Sequence, residues 1–288
     1  NMMKGIIMAG GLATRLHPTT RAINKHLLPI YNKPLIYYPI SVLLLAGIKD
    51  ILIITKKEDY ECFRNLLNNG SHLGINISYE FQKKPGGIPE GILLAEDFIG
   101  NNRFIFALGD NIFFGEQFSK ILNDIKNFNK GCILFTSKVN EPKRFGILYK
   151  DKKNNLKKII EKPNKPKNNL AVTGLYVYDN LAVKFAKKLK KSKRKEKEIT
   201  DLNNIYIKKN QAQEIELGRS FTWLDAGTHD AFLSASNLIS IYEKRTNSQI
   251  GCLEEIAYKK KLIDKKKLKK IINSTKELKI KNYLKSLL

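Results

Sequence analysis

The sequence predicts an α/β protein, a mixed, mostly parallel sheet flanked by helices, on three observations. Short uninterrupted apolar runs, GIIM at 5–8 and DILIIT at 50–55, read as strands buried on both faces. Segments of helical pattern alternate with such runs at the start of the chain, the arrangement of a parallel sheet covered on two sides. After about residue 130 strand-like runs follow one another across short turns, which predicts antiparallel additions.

Taken in order, Lys4–Met8 is the first strand and runs into Ala9-Gly10-Gly11. Pro34–Gly47 reads as a buried helix, with Pro near its first turn and Gly at its end. Asp50–Thr55 is a buried strand, Glu58–Leu67 a polar-apolar helix, and Ile75–Phe81 and Phe104–Leu108 are further strands. Four strands follow in close succession, Cys132–Val139, Gly146–Tyr149, Leu156–Glu161 and Ala171–Tyr178. Helices are expected at Leu181–Leu189 and Thr200–Lys208, then a strand pair at Glu214–Leu217 and Phe221–Leu224. A helix runs from about His229 to Arg245. The last stretch is Lys-rich with regularly spaced apolar positions and reads as helical. Residues 1–258 are therefore expected to form one α/β unit, and 259–288 a helical extension.

Composition narrows the function classes. The longest nearly unbroken apolar run, Leu35–Ile48, has 14 residues and contains Pro39, short of the roughly 20 a membrane span needs. The opening NMMKGIIMAGG lacks the long apolar region of a signal peptide, so a cytoplasmic location is expected. Cys62, Cys132 and Cys252 are far apart with no CxxC pair, which fits buried thiols better than disulfides or a zinc site. The net charge is 52 − 27 = +25, an invitation to consider nucleic acid. Only eight of the 52 basic residues are Arg, the usual residue for bidentate recognition, and the lysines are spread along the whole chain. No specific nucleic acid is expected as a partner. The densest run, KKLKKSKRKEKE at 187–198, reads as a solvated face or loop.

The chemistry-bearing segment is GIIMAGGLATRL at 5–16. A strand ending in small residues lets the backbone approach a ligand, and successive N–H groups can form an anion-binding nest. Arg15 and Lys25 follow as cations for phosphate oxygens. There is no Gly-Lys-Ser/Thr of a P-loop, and GGLATR lacks the third glycine of the dinucleotide fingerprint. GG-x-x-TRL followed by Lys25-His26-Leu27-Leu28-Pro29 resembles the sugar-1-phosphate nucleotidylyltransferases. Within that superfamily, KPLIYYPISVLLLAGIKDILIIT, GDNIFFG at 109–115, RFGI at 144–147 and IIEKP at 159–163 resemble the glucose-1-phosphate thymidylyltransferases. AVTGLYVYDN at 171–180, EITDLN at 198–203, WLDAGTHD at 223–230 and CLEEIA at 252–257 extend the resemblance, near-collinear from residue 4 to about 258.

The resemblance implies a Rossmann-like nucleotidyltransferase core with a sugar-binding insert and C-terminal helices. It implies transfer of a thymidylyl group from dTTP to glucose 1-phosphate, the first step towards dTDP-rhamnose and related sugars of cell-surface polysaccharides. Gly10, Gly11, Thr14 and Arg15 match the loop around the triphosphate, and Lys25 the residue holding phosphate oxygens at the point of attack. Gln82 and Gly87 match the residues that read the thymine edge. Asp110 and Asp225 match the pair that holds Mg2+. Asn111, Gly146, Glu161, Lys162 and Val172 match the sugar-phosphate pocket, with Lys162 also a cation of the reaction. A homotetramer inhibited by dTDP-rhamnose is implied as well, Gly115, Arg219, Cys252, Glu255 and Ile256 falling in segments that resemble a second nucleotide-sugar site.

Residue types alone allow blander readings. A lone Gly-Asp-Asn is a common turn, Glu161-Lys162 could be a surface ion pair, and Asp225 could merely cap the helix starting near His229. Trp223 is expected in the core, and His17, His26, His72 and His229 are expected to be structural or solvent-facing. Parallel strands delivering Asp110 and Asp225 to one crevice would instead bring two carboxylates together around a cation. The chain departs from the family pattern at Ala13, where glycine is usual, and at His26, where glutamine is usual. Its base loop reads QKKPGGIPEG at 82–91 in place of a usual Asp-Gly-Leu-Ala-Gln stretch, so Pro89 and Glu90 predict better use of deoxyuridine or uridine triphosphate. The alternatives are uridylyl or cytidylyl transfer to a sugar 1-phosphate, or a non-catalytic nucleotide-sugar-sensing subunit. Intact Arg15, Lys25, Asp110 and Asp225 argue against the latter.

Overall fold

Side-chain alternation along the strands decides the architecture. In the first strand Ile6 and Ile7 are both fully buried yet point to opposite faces, each into a different apolar cluster. Such a strand needs cover on both sides, and the computed structural model, which describes residues 2–83, 86–192 and 195–288, supplies it. The strands are β1 (Met3–Met8), β2 (Pro29–Ile30), β3 (Lys33–Pro34), β4 (Asp50–Thr55), β5 (Asn76–Phe81), β6 (Arg103–Leu108) and β7 (Asn111–Gly115). The remainder are β8 (Cys132–Lys138), β9 (Gly146–Lys150), β10 (Leu156–Glu161), β11 (Leu170–Tyr178), β12 (Ala212–Glu216) and β13 (Phe221–Asp225). The helices are α1 (Tyr37–Leu45), α2 (Tyr60–Leu67), α3 (Ile88–Leu94), α4 (Glu96–Ile99), α5 (Phe118–Asp124) and α6 (Leu181–Lys188). They continue with α7 (Ile199–Lys208), α8 (His229–Thr246), α9 (Leu253–Lys259), α10 (Lys265–Ser274) and α11 (Leu278–Lys285).

Among the described residues the central sheet runs β10-β9-β11-β6-β1-β4-β5, with β8 on β11 and β12 on β8. β1 pairs in parallel with β4 and β6, and β4 with β5. β11 enters antiparallel to β6, and β9 and β10 form an antiparallel pair beyond it. One face carries α1, α5 and α9–α11 over Ile7, Ile53, Ile105 and Phe135. The other carries α3, α6 and α7 over Ile6, Ile54, Phe106 and Tyr178. Ile263, Leu268, Ile272 and Leu284 of the Lys-rich terminal stretch sit in the first cluster, so its lysines cover a packed helical pair. No described helix is long and apolar enough to cross a membrane.

Three expectations are corrected. The helix expected over 34–47 is shorter, because Lys33 and Pro34 pair with Pro29 and Ile30 in a small antiparallel ribbon before α1 begins. The two strands expected to pair near 214–224 do not meet: β12 runs parallel to β8, and β13 pairs antiparallel with β7. Asp225 therefore does not reach its place on a strand of the parallel sheet; the two-stranded β7–β13 ribbon carries it there.

Candidate active site

The cleft opens at the carboxyl ends of β1, β4 and β6, where an open parallel sheet leaves a crevice. β1 ends in Ala9, whose N–H donates to Ile54 O at 2.7 Å, and the chain turns at Gly10-Gly11. A Cβ on Gly10 would stand 2.9 Å from Gln82 Oε1, so only glycine lets that backbone approach the side chain. Ala13 sits at φ 50°, the left-handed region where alanine is strained and the glycine usual in such loops is not. Thr20 Oγ1 donates to Ala13 O at 2.8 Å and helps hold that conformation. Thr14, Arg15 and Leu16 follow as one short helical turn.

Lys25 opens another short turn, with Asn24 as its cap. Asn24 is buried and fully engaged: Oδ1 accepts from the His26 N–H at 2.9 Å, and Nδ2 donates to Ala9 O at 3.1 Å and Asp59 Oδ2 at 2.7 Å. His26 Nδ1 lies 2.7 Å from the same acceptor oxygen, so the ring carries its proton there. Burial, with the Lys25 ammonium beside it, pushes the His26 imidazole down to about 3. It is a neutral, buried histidine at the wall of the cleft, and it packs under Gly109, where a Cβ would strike its ring at 2.6 Å.

Lys25 Nζ lies 2.5 Å from Asp110 Oδ2 at the end of β6. Burial alone would raise the Asp110 carboxyl. The Lys25 ammonium and hydrogen bonds from Lys25 and Asn111 outweigh it and hold the group well below the usual carboxylate range. Asn111 is buried with both ends used: Nδ2 donates to Asp110 Oδ1 at 3.0 Å, while Oδ1 accepts from Gly174 N at 3.1 Å and Trp223 Nε1 at 2.6 Å. Trp223 is thus more than core filling. It ties β13 to the residue beside Asp110.

In the β7–β13 ribbon Asp225 is paired with Asn111, and Ala226 N donates to Asp110 O at 2.9 Å. The two carboxylates are neighbours, and their acidities are driven apart, Asp110 held low and Asp225 raised. Burial first, then the Asp110 charge, raises the Asp225 carboxyl, with Lys25, Arg15 and Arg144 opposing. Arg15 reaches this corner too, since a Cβ on Gly227 would stand 2.9 Å from its Nη2. The cap of α8 is Thr228, which accepts from Ala231 N at 3.3 Å, so Asp225 is free of that duty. Among the described residues no cluster of three or more His, Cys, Asp or Glu could hold a metal. Any cation here would rest on two hard carboxylate oxygens and complete its shell from outside the protein, a donor set that suits Mg2+.

Across the cleft Glu161 ends β10 opposite Gly146 of β9. Thr200 Oγ1 donates to Glu161 Oε2 at 2.6 Å, and a Cβ on Gly146 would crowd that oxygen at 3.1 Å. Lys162 follows at φ 43°, its N–H bonded to Phe145 O at 3.0 Å, which turns the chain sharply after the strand. A cavity of about 310 Å3 collects Gly11, Lys25, Gln82, Gly87, Asp110, Glu161 and Lys162. A larger one of about 820 Å3 shares Gly11, Lys25 and Gln82 with it and continues past Gly10 to Arg21, Lys56 and Lys57. Thr14, Arg15, Asn111, Gly146, Val172 and Asp225 do not line either cavity; Asn111, Gly146 and Asp225 stand beside residues that do, and Val172 lies on β11. Residues 84 and 85 of the base loop, and 193 and 194 of the basic run, lie outside the described residues.

The basic run ends α6 and leaves it as a loop; Lys187, Lys188, Lys190, Lys191 and Lys195 are exposed, as expected, but its end turns into the cleft. Glu196, Lys197 and Glu198 line the smaller cavity, and Lys197 N donates to Gly86 O at 2.9 Å. Sequence reasoning also passed over Asn24 and Thr200, although Thr200 stood inside the quoted EITDLN string.

The chain is similar to known proteins. Residues 4–240 match the family model described as Nucleotidyl transferase. A glucose-1-phosphate thymidylyltransferase of Neisseria meningitidis serogroup A is 45% identical over 286 residues, 99% of either chain. One from Mycolicibacterium smegmatis is 44% identical over 91% of each. A Bacillus anthracis protein assigned as a glucose-1-phosphate thymidylyltransferase, solved with sucrose, superposes with a TM-score of 0.77 at 40% identity over 82% of this chain and 95% of its own. A UDP-glucose pyrophosphorylase in complex with UDP-glucose gives 0.73 at 25% identity over 85% of this chain and 100% of its own.

Proposed function

The chain belongs to the nucleotidyl transferase family and, within it, to the glucose-1-phosphate thymidylyltransferases, and from that premise we propose how its residues make dTDP-glucose and pyrophosphate from dTTP and glucose 1-phosphate. The observation that carries the reading is one cleft in which a Gly-Gly turn, Lys25, Asp110 and Lys162 converge. The obstacle to this reaction is the approach of two polyanions. A phosphate oxygen of glucose 1-phosphate is already a competent nucleophile near neutral pH, so the protein needs neither triad nor general base. Its work is positioning and charge.

Gly10 and Gly11 let the backbone come close to the triphosphate, and Arg15 with Lys25 neutralises its oxygens. Lys25 is held by its ion pair with Asp110 at the floor of the cleft, so its ammonium is placed before substrate arrives. Lys162 and Glu161 hold the sugar phosphate from the facing wall, Lys162 on phosphate oxygens and Glu161 on sugar hydroxyls, with Thr200 fixing the Glu161 carboxylate. Asn111 and Val172 back that pocket. Gln82 and Gly87 read the base. Asp110 and Asp225 would hold Mg2+, which when bound supplies positive charge for the phosphate oxygens and the departing pyrophosphate.

We further place the protein in the cytoplasm, at the first step towards dTDP-rhamnose, as a homotetramer with dTDP-rhamnose as its inhibitor. Gly115 ends β7 within the β7–β13 ribbon, Arg219 precedes β13, and Cys252, Glu255 and Ile256 lie at the start of α9. Four exposed apolar side chains on α8, Leu233, Leu238, Ile241 and Tyr242, support assembly. The test of the reaction is pyrophosphate release by the purified protein across a grid of nucleoside triphosphates and sugar 1-phosphates. The highest kcat/KM is expected for dTTP with glucose 1-phosphate. A clear preference for UTP or CTP would overturn the assignment.

A further inference from the structure

The strand that ends in Glu161 and leads into Lys162 lies at the rim of the central sheet. Among the described residues β10 pairs with β9 alone, in the order β10-β9-β11. A rim strand leaves the N–H and C=O groups of its free side without a partner strand. Ile159, two residues before Glu161, has both of its groups taken up there by Asn204 of α7. Asn204 Oδ1 accepts from Ile159 N at 2.8 Å, and Nδ2 donates to Ile159 O at 2.9 Å. An amide has one acceptor end and one donor end, so it brackets the two groups of a single residue in only one orientation.

The bracket is in step with a contact one helical turn earlier. Thr200 and Asn204 stand four apart on α7 and share a face of the helix. Their partners, Glu161 and Ile159, stand two apart on β10 and share a face of the strand. Four helical residues rise about 6 Å and two strand residues about 6.6 Å, so both contacts form together without distortion. Helix and strand run in opposite directions, and α7 does for β10 what a further strand would do. α7 is itself anchored in the core, where Leu202 and Tyr206 are fully buried and Tyr206 Oη donates to Asp179 Oδ1 at 2.6 Å. Lys162 directly follows Glu161, so any shift of β10 moves the carboxylate and the ammonium together.

We propose that Asn204 is a positioning residue for the sugar phosphate: by bracketing Ile159 it fixes where β10 stands against α7, and so where Glu161 and Lys162 meet the substrate. Asn204 lines neither cavity and acts only through the strand. Thr200 holds one carboxylate, whereas Asn204 holds the backbone that carries it. Gly10, Gly11 and Lys25 follow β1, which β9, β11 and β6 separate from β10, so the triphosphate end of the cleft does not depend on the bracket. The inference rests on Glu161 and Lys162 as the residues that hold the sugar phosphate.

The experiment measures KM for glucose 1-phosphate and for dTTP, each with the other substrate saturating, together with the melting temperature. The proteins are wild type, Asn204→Ala, Asn204→Asp, Tyr206→Phe and Lys162→Ala. Asn204→Ala should raise the KM for glucose 1-phosphate about tenfold and leave that for dTTP within about twofold. Asn204→Asp keeps the shape and the acceptor for Ile159 N but sets a carboxylate against Ile159 O. It should move the same KM in the same direction, and it decides the matter if the alanine variant does not fold. Tyr206→Phe loosens the same helix from the core without touching β10, and should melt lower with both KM values unchanged. Lower melting temperatures in the Asn204 variants with neither KM moved, or an equal rise in both, would reduce Asn204 to an edge cap and overturn the proposal. The same selective rise in Tyr206→Phe would overturn it too, since any loosening of α7 would then suffice. An unchanged KM for glucose 1-phosphate in Lys162→Ala would overturn Lys162 as a holder of the sugar phosphate, and the proposal with it.

Discussion

Lys25→Ala should lower kcat by about 30- to 1000-fold, the loss of roughly 2–4 kcal/mol of transition-state stabilisation from one charge-assisted contact at a reacting phosphate. Its side chain is 11% exposed and its partner Asp110 18%, so the same change strips a mostly buried carboxylate of its ion pair. Removing one member of such a pair costs about 3–5 kcal/mol of stability where both are fully buried, and less here because water still reaches the cleft. Stability and chemistry are separable with Lys25→Arg. Arginine keeps a cation beside Asp110, so the melting temperature should return to within a few degrees of wild type. Its planar, wider head does not place a point charge where an ammonium sat, so kcat should stay depressed more than about tenfold. Steady-state kinetics with parallel thermal unfolding read both quantities. A kcat near wild type in folded Lys25→Ala would remove Lys25 from the reaction.

Asp225→Asn is expected to act in opposite directions on stability and activity. The Asp225 carboxyl is raised by burial and by the neighbouring Asp110 charge, so the ionised form is disfavoured in the fold. Neutralising it relieves that repulsion, and without metal the variant should melt no lower than wild type. With metal, one of the two carboxylates proposed to hold Mg2+ is gone. The magnesium concentration for half-maximal rate should rise, and kcat/KM should fall about 100-fold. Asp110→Asn should show the activity loss without the stability gain, because Asp110 also pairs with Lys25. Titration of rate against free magnesium decides it. A normal magnesium response with normal kcat in Asp225→Asn would discard the two-carboxylate site.

The main strands were legible because burial on both faces writes itself as plain apolar runs, as in DILIIT of β4 and FIFAL of β6. The β7–β13 ribbon was not. Ile112 and Phe113 pack against different clusters, Trp223 spends its N–H on Asn111, and Asp225 ends the strand opposite Asn111, so no clean alternation marks either segment. That is why FTWLD read as half of a local pair rather than as the partner of a strand more than a hundred residues earlier. The basic run at 187–198 is the solvated loop it was read as, and the part its end plays in the cleft went unseen for a related reason. Its backbone, not its lysine side chains, contacts Gly86 and Gly87, and backbone contacts leave no compositional trace. The site residues were found by motif resemblance, whereas Asn24 and Thr200 act through the residues they hold. Nothing in their spacing distinguishes a positioning residue from an ordinary polar one.

With glucose 1-phosphate as the attacking group, the proposed cleft should transfer the thymidylyl group in a single displacement at the α-phosphorus. The most direct test is turnover of one diastereomer of dTTP bearing sulfur on the α-phosphorus, with glucose 1-phosphate as acceptor and the configuration of the product determined by phosphorus NMR. A single in-line attack predicts inversion. Retention, which requires two displacements through a covalent nucleotidyl-enzyme, would contradict it.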